Sequence, residues 1–187
     1  HVECTAIACN YLDKSGSNPI IDLQGGGSDL IFPHHFMSAQ IVKAAYGRDF
    51  AKYFVHAAMI GLAGEKMSKS KGNLVFVSKL VADGRDPMAI RWALMQSHYR
   101  SDRMWTEDLL INAEKEIGAL RKALKQQEVA PTQALIQQII DFLANDLDTQ
   151  SLIQAVNIWV DQTNTGGAGG DSKSLIAVMD ALIGIRA

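Results

Sequence analysis

The 187-residue sequence has little cysteine, no long apolar run and almost no net charge. Its two cysteines, Cys4 and Cys9, are too few for a disulfide scaffold, fit a reducing compartment, and are not spaced as a zinc knuckle. The apolar stretch Leu135 to Leu143 is broken by glutamine and too short to span a bilayer, and no secretory leader is expected. A cytoplasmic, soluble protein with no membrane partner is therefore expected. An initiating methionine is also lacking, because the chain opens at His1 within what reads as a strand, His-Val-Glu-Cys-Thr-Ala-Ile. That opening predicts a fragment of a longer protein.

What is present is enough for a core. Hydrophobic residues make up 48% of the chain, which suits one domain, or one domain plus a small second unit. The formal charge of −2 is unevenly spread. Residues 66 to 125 carry 12 Lys/Arg against 7 Asp/Glu, whereas residues 126 to 187 carry 2 against 7. A polyanion should meet the middle of the chain and avoid its end.

The first third mixes β-like runs, Val2 to Ala8 and Ile20 to Leu23, with a predicted turn at Gly25-Gly26-Gly27. Pro33 then stands where a helix could start and run through Phe36 to Ala45. This order suggests an α/β unit. A run from Tyr53 to Leu62 leads into the polar loop Gly64 to Asn73 and the apolar stretch Leu74 to Val77. From Pro87 onward the period is helical. Thr106 with Glu107 and Asp108 forms a cap and an acidic first turn, and Leu110, Ala113, Ile117, Leu120 and Leu124 form one apolar stripe. After Pro131 come three amphipathic segments, 135–143, 152–160 and 175–183. The last two are joined by Gly166-Gly167-Ala168-Gly169-Gly170, which reads as a flexible connection with Asp171 or Ser172 as the next cap.

Three lysines in the polar loop, Lys66, Lys69 and Lys71, are suited to a triphosphate, since cations there would stabilise charge moving onto departing pyrophosphate. Lysines alone would more often mark a solvated surface loop. The order Lys66-Met67-Ser68-Lys69-Ser70 is more specific, because it resembles the KMSKS signature of class I aminoacyl-tRNA synthetases. That resemblance implies that Lys66 and Lys69 are catalytic and contact ATP phosphates during amino-acid adenylation, with Met67, Ser68, Ser70 and Ile60 also at the ATP or adenylate.

Upstream, Gly25-Gly26-Gly27-Ser28-Asp29-Leu30-Ile31-Phe32-Pro33-His34-His35 resembles the glycine-rich stretch and histidine pair of cysteinyl-tRNA synthetases. It implies adenylate contacts at Gly27, Ser28 and Asp29, with glycine allowing close backbone approach. The same resemblance makes Cys4 and His34 ligands of a Zn²⁺ ion, with a third cysteine ligand in an N-terminal half not in this sequence. A zinc ion with an open position binds a substrate thiolate and rejects serine, where a small side-chain pocket discriminates poorly. His35 is expected behind the ligands or on the nucleotide side, Cys9 is expected to be structural, and Tyr11 and His56 have no assignable role. His98-Tyr99-Arg100 resembles the family's Gly-His-Tyr-Arg, with Ser97 for glycine, and is expected to pack the helical segment against the lysine loop.

Two departures bear on the choice of family. Ser38 stands where cysteinyl-tRNA synthetases place a zinc-binding glutamate, and the mycothiol-pathway cysteine ligases commonly have serine there. Phe36 matches neither. The acidic end of the chain offers little phosphate neutralisation, so nucleic acid is not an expected partner. Stretches such as Asp86-Pro87-Met88-Ala89-Ile90-Arg91 and Asp146-Leu147-Asp148-Thr149 also resemble the ligases.

The implied fold is the second half of a class I Rossmann-like catalytic domain followed by an all-α part. Residues 1–78 would complete the catalytic domain with its lysine loop, 79–130 would be a helical connecting segment and 131–187 a small bundle. The implied reaction joins L-cysteine to the amine of glucosaminyl-inositol through cysteinyl-adenylate, with Mg²⁺-ATP as substrate. The chain alone is expected to be inactive and to hold zinc weakly or not at all. A cysteinyl-tRNA synthetase and a non-catalytic paralogue or binding module are the alternatives.

Overall fold

A computed structural model describes residues 1–13 and 16–186. They fall into two compact units, His1–Met59 with Arg100–Asp102, and Ile60–Tyr99 with Arg103–Ala187.

The first unit opens with a helix, α1 (Val2–Leu12), where the alternation of apolar residues predicted a strand. Glu3, Ala6, Ala8 and Leu12 are good helix formers, and Thr5 ties the first turn by donating both its amide (3.0 Å) and its hydroxyl (2.7 Å) to the His1 carbonyl. Only Thr5 is buried on α1, so the helix has no broad apolar stripe to advertise it. Strand β1 (Ile21–Gly27) follows, and it includes the glycines predicted to form a turn. Their extended form is imposed by strand β2 (Ala51–Ala57), which runs parallel to β1 with Gly25 opposite Val55, Gly26 opposite His56 and Gly27 opposite Ala57. Between the strands, a 3-10 turn at Ser28–Leu30 and a wide turn at Ile31–His35 lead into α2 (Phe36–Tyr46). Gly47, at φ 66°, closes that helix through its amide on the Lys43 carbonyl. The core here is small: Ile20, Val42, Phe50 and Ala51.

The second unit starts with β3 (Ile60–Leu62) and β4 (Glu65–Lys66), an antiparallel hairpin. Its two-residue connection, Ala63 and Gly64, has positive φ at both positions (53° and 83°), as a type I′ turn requires. Helices α3 (Val77–Ala82) and α4 (Pro87–Met95) follow, then β5 (Arg103–Trp105), parallel to β3. Four helices complete the unit: α5 (Glu107–Leu124), α6 (Gln133–Ala144), α7 (Thr149–Asn164) and α8 (Ser172–Ile183).

Sequence and structure agree at α5 and at the start of α8. Thr106 caps α5 by accepting from the Leu109 amide, a contact worth about 1 kcal/mol, and every residue of the expected α5 stripe is buried. Asp171 is the cap of α8. These helices share one core running from Ala89 to Ile185, with Trp92, Trp105 and Trp159 inside it.

Part of the glycine run before α8 is packed, at Gly167 and Gly170, where composition suggests a flexible connection throughout. The Gly170 amide donates to the Val129 carbonyl at 2.9 Å, and a Cβ at Gly170 would lie 2.0 Å from the Ala130 carbonyl oxygen. Ala130 is held from the other side, its carbonyl accepting from the Trp159 indole at 3.0 Å and its amide donating to Thr163 Oγ1 at 3.1 Å. No helix among the described residues is long and apolar enough to cross a membrane.

Candidate functional site

In a parallel sheet the carboxyl ends of the strands form the usual ligand crevice. In the first unit Gly27, Ser28 and Asp29 occupy that position, at the end of β1 and in the turn that leaves it. A Cβ on Gly27 would come within 2.5 Å of Asp29 Oδ1, and one on Gly26 within 2.7 Å of His35 Cε1. These two glycines therefore make room for side chains of their own unit. A cavity of about 350 Å³ lies at this end, lined by Ser28, Ile31, Phe54, Val55, His56, Ala58 and Arg100.

His35 fills the space over Gly26 and is buried. Its Nε2 lies 3.0 Å from Gln24 Nε2, and its Nδ1 lies 2.7 Å from His56 Nε2. An amide nitrogen can only donate, so His35 accepts at Nε2, carries its proton on Nδ1 and donates it to His56. Burial, reinforced by the neighbouring His56 and His34, holds the His35 pKa below its ordinary value and keeps the ring neutral. The sequence alone assigns His56 no role. The register that sets it opposite Gly26 is a long-range property, although a glycine facing a histidine across parallel strands is a usable signal.

His34 precedes this network. Its Nδ1 lies 2.8 Å from Nδ1 of His1, and its carbonyl accepts from the buried Ser38 hydroxyl at 2.9 Å. Ser38 thus braces the turn that carries His34. Cys4 is an exposed free thiol on α1, not on a strand. Thiolate and imidazole are the donor types zinc takes, so the chemistry of Cys4 and His34 fits that ion as part of a larger ligand set. Among the described residues no group of three or more His, Cys, Asp or Glu side chains is arranged to hold a metal.

The lysine loop belongs to the second unit. Lys66 ends the hairpin on β4, opposite Gly61, and Ile60 opens β3. Met67 turns inward onto the helical core and lines a cavity of about 180 Å³ with Ile60, Val75, Leu80 and Trp105. Ser68 and Ser70 hydroxyls lie 3.2 Å apart. Lys69 is exposed and makes no ion pair among the described residues, whereas Lys71 bonds Glu65 at 2.8 Å. His98 and Tyr99, expected to pack against this loop, bond Asp146 at the turn between α6 and α7. The tyrosine hydroxyl donates at 2.7 Å to the carboxylate and the imidazole sits 2.9 Å from the Asp146 carbonyl.

The family described as tRNA synthetases class I (C) catalytic domain matches residues 1–115. The chain belongs to this family. Within the class I (C) family, it is 47% identical over 191 residues to the L-cysteine:1D-myo-inositol 2-amino-2-deoxy-alpha-D-glucopyranoside ligase of Saccharomonospora viridis, covering 99% of this chain and 45% of that protein. The ligase of the same name from Nakamurella multipartita is 48% identical over 188 residues, covering 100% of this chain and 44% of that protein. The chain thus spans less than half the length of the curated relatives it matches. Among solved structures, the ternary complex of Agrobacterium radiobacter K84 agnB2 LeuRS with tRNA and LeuAMS is similar in fold. Its TM-score is 0.66 at 15% identity, over 87% of this chain and 26% of that one. The class I synthetase fold, α/β with a parallel pair of strands and then a helical part, is accordingly the architecture of this chain.

Proposed function

We propose that the protein carrying this sequence joins L-cysteine to the amine of glucosaminyl-inositol at the expense of ATP, releasing AMP and pyrophosphate. The observation that carries this reading is the similarity of almost the whole chain to relatives named as that ligase, at 46 to 48% identity in the examples from S. viridis, N. multipartita and Saccharopolyspora erythraea. The lysine loop and the strand-end turn supply matching chemistry.

In the first step the cysteine carboxylate attacks the α-phosphate of Mg²⁺-ATP, forming cysteinyl-adenylate. Gly27, Ser28, Asp29, Ile60, Met67, Ser68 and Ser70 are the positions proposed to serve ATP or adenylate binding, Met67 and Ile60 by holding the loop on the helical core. Lys66 and Lys69 act as the catalytic cations, holding the β- and γ-phosphates more tightly as negative charge accumulates on the leaving pyrophosphate. In the second step the sugar amine attacks the adenylate carbonyl and expels AMP. Cys4 and His34 would hold zinc together with a cysteine from the preceding half of the enzyme. When bound, that ion supplies a thiolate-selective site for the substrate side chain. His35 and Ser38 fix the turn carrying His34, an arrangement that supports metal ligation through the surrounding shell.

Residues 1–78 serve as the end of the catalytic domain, 79–130 as connecting helices and 131–187 as the bundle. The preceding half of the same enzyme is the chain's partner, and the setting is the cytoplasm. A second reading, charging of tRNA with cysteine, is favoured by the family description itself. The acidic end of the chain weighs against it. Supplying the full-length protein with ATP, cysteine and either glucosaminyl-inositol or tRNA separates the readings. An amide product supports the ligase, charged tRNA the synthetase, and neither product a non-catalytic paralogue.

A further inference from the structure

The lysine loop has an internal fastening that its signature does not include. The Asn73 carboxamide bonds the loop twice, its Oδ1 accepting from the Ser68 amide at 2.9 Å and its Nδ2 donating to the Lys66 carbonyl at 3.3 Å. These contacts lie on either side of Met67, whose side chain is anchored on the helical core. The Lys71 amide on Ser68 Oγ (3.3 Å) and the Gly72 amide on the Lys69 carbonyl (3.2 Å) complete the closed turn. The three lysines differ in consequence. The Lys71 ammonium closes onto Glu65 at the start of β4 at 2.8 Å, the Lys66 backbone is held by Asn73, and Lys69 lies in the turn that Gly72 closes.

We infer that Asn73 is a positioning residue for phosphate transfer: by bonding Lys66 and Ser68 together across Met67, it sets the backbone from which Lys66 and Lys69 reach the triphosphate. The inference rests on the ATP-ligase reading. Long ammonium side chains reach many places, and the loss of defined backbone beneath them costs rate through misplacement more than through lost affinity. Asn73 itself touches no phosphate in this account.

The test uses cysteine-dependent ATP–pyrophosphate exchange by the full-length protein with Asn73→Ala, Asn73→Asp and Lys69→Ala, together with amide hydrogen exchange at Ser68. Asn73→Ala should lower kcat about 10-fold to 100-fold, leave KM for cysteine within about twofold and speed exchange of the Ser68 amide. Asn73→Asp keeps the acceptor for Ser68 and loses the donor to Lys66, so its rate should fall between Asn73→Ala and the parent. Parental exchange kinetics in Asn73→Ala, or a loss confined to the cysteine KM or to thermal stability, would overturn the inference. If Lys69→Ala abolishes exchange while Asn73→Ala does not, the positioning role fails and the ATP reading survives. If Lys69→Ala exchanges like the parent, the ATP reading itself fails.

Discussion

The two units of this chain are built on different terms. In the second, helices α4 to α8 enclose a continuous core that includes three tryptophans. In the first, four buried apolar residues support a two-stranded parallel sheet, while Leu23, Tyr53, Phe54 and Val55 on those strands remain exposed. Parallel sheets are ordinarily covered on both faces. The first unit spends its buried volume on polar function instead, placing His35, Ser38 and Thr5 inside. The helical unit therefore carries the larger apolar core, and the strand unit carries a buried polar network.

The comparison breaks most readily on core truncation. Trp92 is fully buried and its indole donates to Glu116 at 2.6 Å. Trp92→Ala should cost about 3–5 kcal/mol in denaturant unfolding of the isolated chain, whereas Phe54→Ala on the exposed sheet face should cost less than about 0.5 kcal/mol. Equal losses would remove the distinction. Next in size, Gly170→Ala should cost about 1–3 kcal/mol, because its Cβ would meet the Ala130 backbone.

Acid should separate the units. The folded His35 pKa is depressed, chiefly by burial and then by His56 and His34, so the stability tied to its neutral ring is present above the unfolded value of about 6.5 and lost as pH falls toward the folded pKa. In the second unit, burial raises Asp86, but bonds from Arg121 and the Met88 amide more than cancel that and hold it low. The Ser151 amide and hydroxyl do the same for Asp148. Their contribution persists above the unfolded value of about 3.9 and is lost only as pH falls through the lower folded values. Hydrogen exchange on the metal-free chain between pH 7 and 4.5 should therefore show β1, β2 and α2 loosening while α5 and α7 stay protected. A His35→Gln variant should flatten that response. The smallest effect belongs to the exposed Glu65–Lys71 pair, where Glu65→Gln should change stability by less than about 1 kcal/mol.

The same division decides what could be read from the sequence. Helix α5 was legible because its cap, its acidic first turn and its stripe are local. The lysine loop stands out in the sequence as five consecutive residues that resemble a signature, and its role is a proposal. The glycine strand reads as a turn in sequence because its extension comes from pairing with the distant β2. Helix α1 reads as a strand because a nearly unburied helix shows little period. The Gln24–His35–His56 chain and the Asn73 fastening were invisible for a related reason: each depends on where a side chain ends in space, not on its neighbours in sequence.

The proposal most exposed to experiment is that Lys66 and Lys69 handle phosphate in an enzyme that activates cysteine. Its most direct test is ATP–pyrophosphate exchange by the full-length protein, comparing cysteine with serine and the parent with Lys69→Ala. Exchange should saturate with cysteine, be negligible with serine and fall roughly 100-fold or more in Lys69→Ala. Exchange in Lys69→Ala at the parental rate, or none with cysteine in the parent, would contradict it.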